Sequence, residues 1–326
     1  MIKYLLRQTL TWFVRIVVVV NLTYFIASWF LKPAANYVGR RPPIPPDQIQ
    51  RMLDQYNLAD TEPLWHRWWD WLTNIVLHWN WGYSPVGASV NEQIGFRIWV
   101  SAQLMLGATL LAFLVGVALG VYSASRQYHL ADRVVQVFAT IFLCLSIVVV
   151  ALIVVFLTVK LNDWVGHRIF YVTGAGTVGL SGWPWFIDKI QHLLLPSLCL
   201  LAISWPTYAM TQRALLLDNI SADYVRLARA KGLRKATAVR RHALRTSLIP
   251  VMVSLAYSIP GIFVGASLTE TIFAWNGMGR YLVQTINTND INGAVGVAAF
   301  AALMTAVGAV LSDIIVVYLD PRVRVS

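Results

Sequence analysis

Three hundred and twenty-six residues are enough for two soluble domains, but 57% hydrophobic residues, 13% charged residues and a mean hydropathy of +0.60 exclude a soluble globular chain. The formal charge of +11 has two usual sources, a nucleic-acid surface or the cytoplasmic loops of a membrane protein, and hydrophobicity this high selects the second. Cys144 and Cys199 both lie inside apolar stretches, which excludes a disulfide framework and a cysteine-rich metal site.

A bilayer core about 30 Å thick needs about 20 apolar residues at a rise of 1.5 Å. Six stretches meet that length, at residues 10–31, 98–124, 134–159, 193–217, 248–273 and 293–319. The first lacks a small-x-small cleavage pattern and is too long for a signal-peptide core, so it reads as a retained anchor. The second and third contain no charged residue. The others carry Arg15, Arg213, Glu270 and Asp313, each near an end where a long side chain can snorkel to the interface.

Six spans place both termini on one side, and the charge bias chooses which. The termini and the loops on their side hold 16 Lys+Arg and 5 acids, while the opposite segments hold 10 of each. The whole excess therefore lies on the side of the termini, which is predicted to be cytoplasmic. Basic residues scattered over short loops, with no folded module to present them, exclude nucleic acid as a partner.

Residues 32–97 are too many for a simple connector between the first two spans. They open with Pro33, Pro42, Pro43, Pro45 and Pro46, which favour an extended entry. Asp47 then precedes Ile49, Met52, Leu53 and Tyr56 at helical spacing. A second helix is predicted to start at Pro63 and to run through Leu64, Trp65, Trp68, Trp69, Trp71, Leu72, Ile75 and Val76. Six tryptophans fall between Trp65 and Trp81. They fit an aromatic belt at the headgroup level, a docking surface for an external partner, or both.

The loop at 218–247 is the longest and most basic segment of the predicted cytoplasmic face. Ser221 reads as an N-cap, Asp223 suits the positive helix end, and residues 222–231 form one short helix stopped by Gly232 in a left-handed conformation. A second helix, from about Lys235 to Arg245, leads into the fifth span. Helical spacing puts Tyr224, Leu227, Ala228 and Lys231 on one face of the first helix. Such a face needs cover, either from anionic lipid or from a protein partner.

These residues also carry a family resemblance. Asp223-Tyr224-Val225-Arg226-Leu227-Ala228-Arg229-Ala230-Lys231-Gly232-Leu233, followed by Arg241-His242-Ala243-Leu244-Arg245 and Leu248-Ile249-Pro250, resembles the EAA loop of permease subunits of ABC importers, in the form used by the oligopeptide/dipeptide/nickel group. Further landmarks occur in family order. They are Tyr4-Leu5-Leu6-Arg7, the helix at 46–53, Trp81-Gly82-Tyr83-Ser84 with Pro85-Val86, His192-Leu193-Leu194-Leu195-Pro196, Glu270-Thr271-Ile272-Phe273 with Gly277-Met278-Gly279, and Asp320-Pro321-Arg322. The chain departs from the pattern at Arg226, where the broad motif opens on Glu, at Leu227, where the subgroup usually has Thr, and at Asn276, where Pro commonly precedes the glycine pair.

The resemblance implies an all-α polytopic protein with the type I importer permease fold, both termini cytoplasmic, in the bacterial plasma membrane. Residues 1–31 would form the tail and first span, 32–97 an external helical domain, 98–319 the permease core and 320–326 a tail. It further implies that the short helix couples to an ATPase through Asp223, Tyr224, Arg226, Leu227, Ala228, Arg229, Lys231 and Gly232. Pro260, Gly261 and Gly265 are candidates for a hinge or a close helix approach in the fifth span, with ordinary small-residue packing as the simpler reading. The implied partners are a second homologous permease, two ATPase subunits, an external substrate-binding protein, a peptide substrate and membrane lipid. The chain contains no Gly-x-x-x-x-Gly-Lys-Ser/Thr loop, so ATP and magnesium would be held by the ATPase partners, with no cofactor, metal or catalytic residue in this chain.

Other classes fit less well. An intramembrane enzyme would show a His-Glu-x-x-His or Gly-x-Ser-x-Gly motif, and neither occurs. An ion-coupled transporter usually carries midplane carboxylates on broken helices of an inverted repeat, whereas Glu270 and Asp313 sit near span ends. Within the family, nickel chelates, glutathione and glycosides are alternative substrates to oligopeptides and dipeptides.

Overall fold

The computed structural model describes residues 2–39, 41–177, 179–264 and 266–319, and among them the regular secondary structure is helical apart from an isolated Tyr83–Ser89 bridge. In order the helices are α1 (Ile2–Phe30), α2 (Pro46–Asp54), α3 (Leu64–His78), α4 (Val90–Ser125), α5 (Leu130–Cys144), α6 (Ile147–Val165), α7 (Trp183–Ile220), α8 (Asp223–Ala230), α9 (Lys235–Ala238), α10 (Leu244–Tyr257), α11 (Ile259–Val264), α12 (Ser267–Ile272), α13 (Met278–Asn287) and α14 (Ile291–Leu319). A short 3-10 turn at Pro33–Tyr37 follows α1, and a π-helical turn at Val239–Ala243 joins α9 to α10. Six helices among the described residues are long and apolar enough to cross a membrane: Arg7–Phe30, α4, α6, α7, Lys235–Ile262 and Ile291–Ile314.

The number of spans agrees with the hydropathy reading, but two of them differ in construction. The third stretch is broken between α5 and α6, because Leu145 is extended and the Ser146 side chain accepts the Val148 N–H as an N-cap. The fifth begins earlier than expected: its helical run starts at Lys235 and reaches Val264 through α11, which leaves Glu270 on the separate α12. Helices α4 and α7 also start well ahead of their apolar stretches, since an amphipathic extension of a span continues its backbone ladder outside the hydrocarbon. Pro196 and Pro206 lie inside α7.

The chain divides into two compact units. The first comprises 1–102, 263–271 and 276–306. In it the C-terminal part of α1 packs on α2, α3 and the start of α14 through Val20, Tyr24, Ala27, Leu53, Leu58, Trp71, Ile291 and Val295. The Trp81-Gly82-Tyr83-Ser84 turn is tied to α14 by the Asn292 side chain, whose Nδ2 donates to the Tyr83 carbonyl at 2.9 Å. Gly82 has φ +92°, and a Cβ there would lie 2.7 Å from that same amide nitrogen, so both backbone and space call for glycine.

A second knot in this unit is built around Glu270, which is fully buried. Its Oε1 accepts the Ser101 hydroxyl at 2.7 Å and its Oε2 accepts the Arg280 backbone N–H at 2.9 Å. Ser101 Oγ in turn accepts the Met278 N–H at 2.7 Å. The carboxylate thus pins the Gly277-Met278-Gly279 turn to α4, which explains that landmark physically: a buried acid is tolerated where its lone pairs are filled.

The second unit comprises 103–262, 272–275 and 307–326. Here α7 is the central element, packed by α5, α6 and α10. Helix α4 meets it through glycines: a Cβ on Gly116 would lie 2.7 Å from the Trp205 carbonyl oxygen, and one on Gly120 would lie 2.6 Å from that of Ala209. Only hydrogen fits between the two backbones at these points.

Candidate functional site

The predicted coupling hairpin lies wholly in the second unit. Helix α8 is two residues shorter than expected, with Ala222 as its N-cap rather than Ser221. The Ser221 hydroxyl instead donates back to the Asp218 carbonyl at 3.0 Å, at the end of α7. At the other end Gly232 has φ +91°, its N–H donates to Arg229 O at 2.9 Å, and the Leu233 N–H reaches Ala228 O at 3.3 Å. This is the left-handed helix stop that the glycine predicted.

The buried and exposed faces of α8 are assigned differently from the sequence reading. Val225 and Ala228 point inward and pack with Ala124 of α4, Leu216 of α7, Ala238 and Ala243. Ala228 is therefore a backing residue, 8% exposed, and not part of the open face. Tyr224 and Leu227 remain 41% and 58% exposed on a helix of eight residues. Around them Asp223, Arg226, Arg229 and Lys231 are all exposed, and Arg226 Nη1 lies 3.8 Å from Asp223 Oδ1 one turn back. The Tyr224 hydroxyl donates to the Asn219 side chain, which orients the ring from its own end of the hairpin. The result is a small apolar patch ringed by guanidinium and ammonium groups, held on a firm hydrophobic base. It has the composition of a docking surface.

Beneath the hairpin lies a polar network that sequence reasoning missed. Asp132, at the start of α5 and ahead of its apolar run, is buried. Arg213 of α7 grips it with two parallel hydrogen bonds, Nε to Oδ1 at 2.8 Å and Nη2 to Oδ2 at 2.9 Å. The Ser123 hydroxyl and the Tyr128 N–H also donate to it. The Arg213 hydrogen bonds, first among these donors, hold its carboxyl well below the usual carboxylate range against the opposing effect of burial. One residue back, Gln212 donates to Ser247 of α10 at 2.9 Å. Residues 212 and 213 thus join α7 to the helix leaving the hairpin and to the helix entering the third stretch. Partners 81 residues apart have no local signature. The only hint was an Asp and an Arg at the ends of apolar runs on the same predicted side.

The hinge candidates separate. Helices α10 and α11 part at Ser258, and Pro260 follows immediately. A Cβ on Gly308 of α14 would lie 2.8 Å from Pro260 Cδ, so this pair makes a close contact, whereas Gly261 has open space on its Cβ side. Gly265 and the Asp320-Pro321-Arg322 landmark lie outside the described residues, as do the side chains of Tyr4, Leu5 and Leu6. Among the described residues no group of His, Cys, Asp and Glu could hold a metal ion.

Six helices of membrane length among the described residues, together with an exposed basic hairpin, are the features of a polytopic membrane protein. A family model described as the binding-protein-dependent transport system inner membrane component matches residues 116–325, and the chain belongs to that family. It is a permease subunit of an ABC importer, a multi-pass bacterial membrane protein that works with other ABC components and is not itself the ATPase. Three of its relatives match over their full lengths. It is 35% identical to the oligopeptide transport system permease protein OppB of Mycobacterium tuberculosis, with 100% of each chain covered. It is 29% identical to the oligopeptide transport system permease protein AppB of Bacillus subtilis, over 99% of this chain and 100% of the relative. It is 28% identical to the dipeptide transport system permease protein DppB of Lactococcus lactis, again over 99% and 100%.

Proposed function

We propose that this subunit forms half of a pathway for oligopeptides or dipeptides, and that α8 is the element through which ATP hydrolysis on partner subunits drives it. The observation that carries the reading is the exposed Tyr224–Leu227 patch, ringed by Arg226, Arg229 and Lys231 and backed by Val225 and Ala228. A patch of this kind on a supported helix fits a cleft in a protein with an acidic or carbonyl-rich rim. Two ATPase subunits closing around ATP and magnesium would draw this helix and its counterpart on a second permease together. The spans would then alternate between inward-facing and outward-facing states.

In this reading the termini and 218–247 are cytoplasmic. Residues 32–97 face outward, where an external binding protein delivers substrate, and 98–319 form the transport core. The charge bias supports the orientation, and the names of the relatives support a peptide substrate.

Affinity purification of the chain in mild detergent is expected to recover a second six-span permease and one or two ATPases with vanadate-sensitive turnover. A homo-oligomer without ATPase activity would remove the coupling role of α8. Gly232→Val tests the hairpin itself. Nothing lies within 4 Å of a Cβ at that position, so the cost is conformational, about 1–2 kcal/mol for a branched residue held at positive φ. ATP-driven uptake should fall while membrane insertion is unchanged; normal uptake by the variant would show that the turn does not govern coupling.

A further inference from the structure

Helix α3 carries more tryptophan than any other segment, and its contacts fix where it lies along α1. Trp68 Nε1 donates to Asn21 Oδ1 at 2.7 Å, and the Phe25 ring lies 5.3 Å from Trp65 and 5.8 Å from Trp68. The Trp71 ring meets that of the buried Tyr24 at 4.7 Å, tilted by 31°. Phe25 is about 7 Å, and Asn21 about 13 Å, short of Phe30 along the helix axis at 1.5 Å per residue.

The charges of α1 decide where the bilayer must end. If the outer boundary passed through Asn21, a core of about 30 Å would run beyond the start of the helix and enclose both Arg7 and Arg15. With the boundary near Phe30, Arg15 sits about 22 Å down, within snorkelling reach of the opposite interface. The residues that α3 touches are therefore at membrane depth.

The faces of α3 agree with this placement. Leu64, Trp68, Trp71, Leu72 and Ile75 pack inward. Trp65, Trp69 and Val76 form a second, exposed stripe, joined to α1 through the Trp65–Phe25 contact, and Leu22, Ile26, Trp29 and Phe30 of α1 are exposed as well. On the third side Asp70, Thr73 and Asn74 line an open polar cleft of about 400 Å³. We propose that α3 is an interfacial helix seated in the extracytoplasmic leaflet, with the Trp65–Trp69–Val76 stripe continuing the lipid-facing surface of α1 and the Asp70–Asn74 side turned to water. Interfacial helices bury about 5–10 Å into the headgroup and acyl boundary, which matches the depth of Phe25. A binding protein that docks on this domain would then approach the polar side and not the tryptophans.

The test is nitroxide accessibility on the full chain in lipid nanodiscs, in a Cys144→Ser, Cys199→Ala background, with single labels at Trp69→Cys, Val76→Cys, Asp70→Cys and Asn74→Cys. Positions 69 and 76 should be relaxed by oxygen and shielded from a water-soluble nickel chelate, with an oxygen-to-nickel ratio several-fold above that at 70 and 74. Equal nickel access at all four positions would place the stripe in water and overturn the assignment. Exclusion of both probes at 69 and 76 would mean that protein covers the stripe, and would overturn it equally. Trp69 and Val76 are exposed, so their replacement leaves the inward packing intact and a folding failure at one label is checked by the other.

Discussion

Arg213→Ala should lower the stability of the permease by about 3–5 kcal/mol, one of the two largest effects expected from a single substitution in this chain. The guanidinium supplies two of the donors to a carboxylate that is 3% exposed, and its loss leaves that charge buried with only Ser123 and Tyr128 to meet it. Asp132→Asn should cost less, because the amide oxygen still accepts while the charge that required compensation is gone. Melting midpoints in detergent, followed by size-exclusion chromatography, measure both. A midpoint for Arg213→Ala equal to that of the parent would show that the pair does not restrain α5 against α7.

The pair also sets a pH response. The folded-state pKa of Asp132 is depressed, so its contribution is complete above the unfolded value of about 3.9 and is lost as pH falls below it. Stability between pH 5 and 8 should be insensitive to this group, and the parent and Asp132→Asn melting curves should converge only in strong acid.

The second large effect is expected at Gly277. A Cβ there would lie 2.5 Å from Glu270 Oε1 and 2.6 Å from its carboxyl carbon, and closer still to Ser101 Oγ. Gly277→Ala must push both side chains away, which strands the Met278 and Arg280 N–H groups that they satisfy. Overpacking of about 1–3 kcal/mol adds to about 1–3 kcal/mol for each stranded donor. The variant should insert yet fail to hold the turn between α12 and α13, with loss of transport and a lower melting midpoint. Gly261→Ala is the matched control, since its Cβ side is open. If Gly277→Ala behaves like that control, the Glu270 knot is not a structural restraint.

Much of the fold is legible in the sequence because hydrocarbon imposes one rule on every span: an apolar run of fixed length with its backbone satisfied internally. That rule locates α1, α4, α7 and α14, but it is silent on the break at Leu145–Ser146, where the residues on either side are equally apolar. There a single hydroxyl decides, by capping α6 from outside. The hairpin shows the same division. Gly232 announces the turn, since only glycine adopts that backbone cheaply, whereas periodicity could not say whether Ala228 or Leu227 turns inward. Alanine meets the close contact with Ala124 and Leu216 that a leucine would overfill. Asp132 with Arg213, and Glu270 with Ser101, join residues 81 and 169 positions apart, and only tertiary structure brings them together.

The glycine contacts between α4 and α7 bear on how a transport cycle can proceed. Two helices whose backbones touch at Gly116 and again one turn later at Gly120 leave no room at these points for a side chain to slide or re-pack. Four-residue spacing of the contacts also resists rotation about either axis. The two helices therefore behave as one twin-shafted beam, and whatever opens and closes the path for substrate has to be found at its edges.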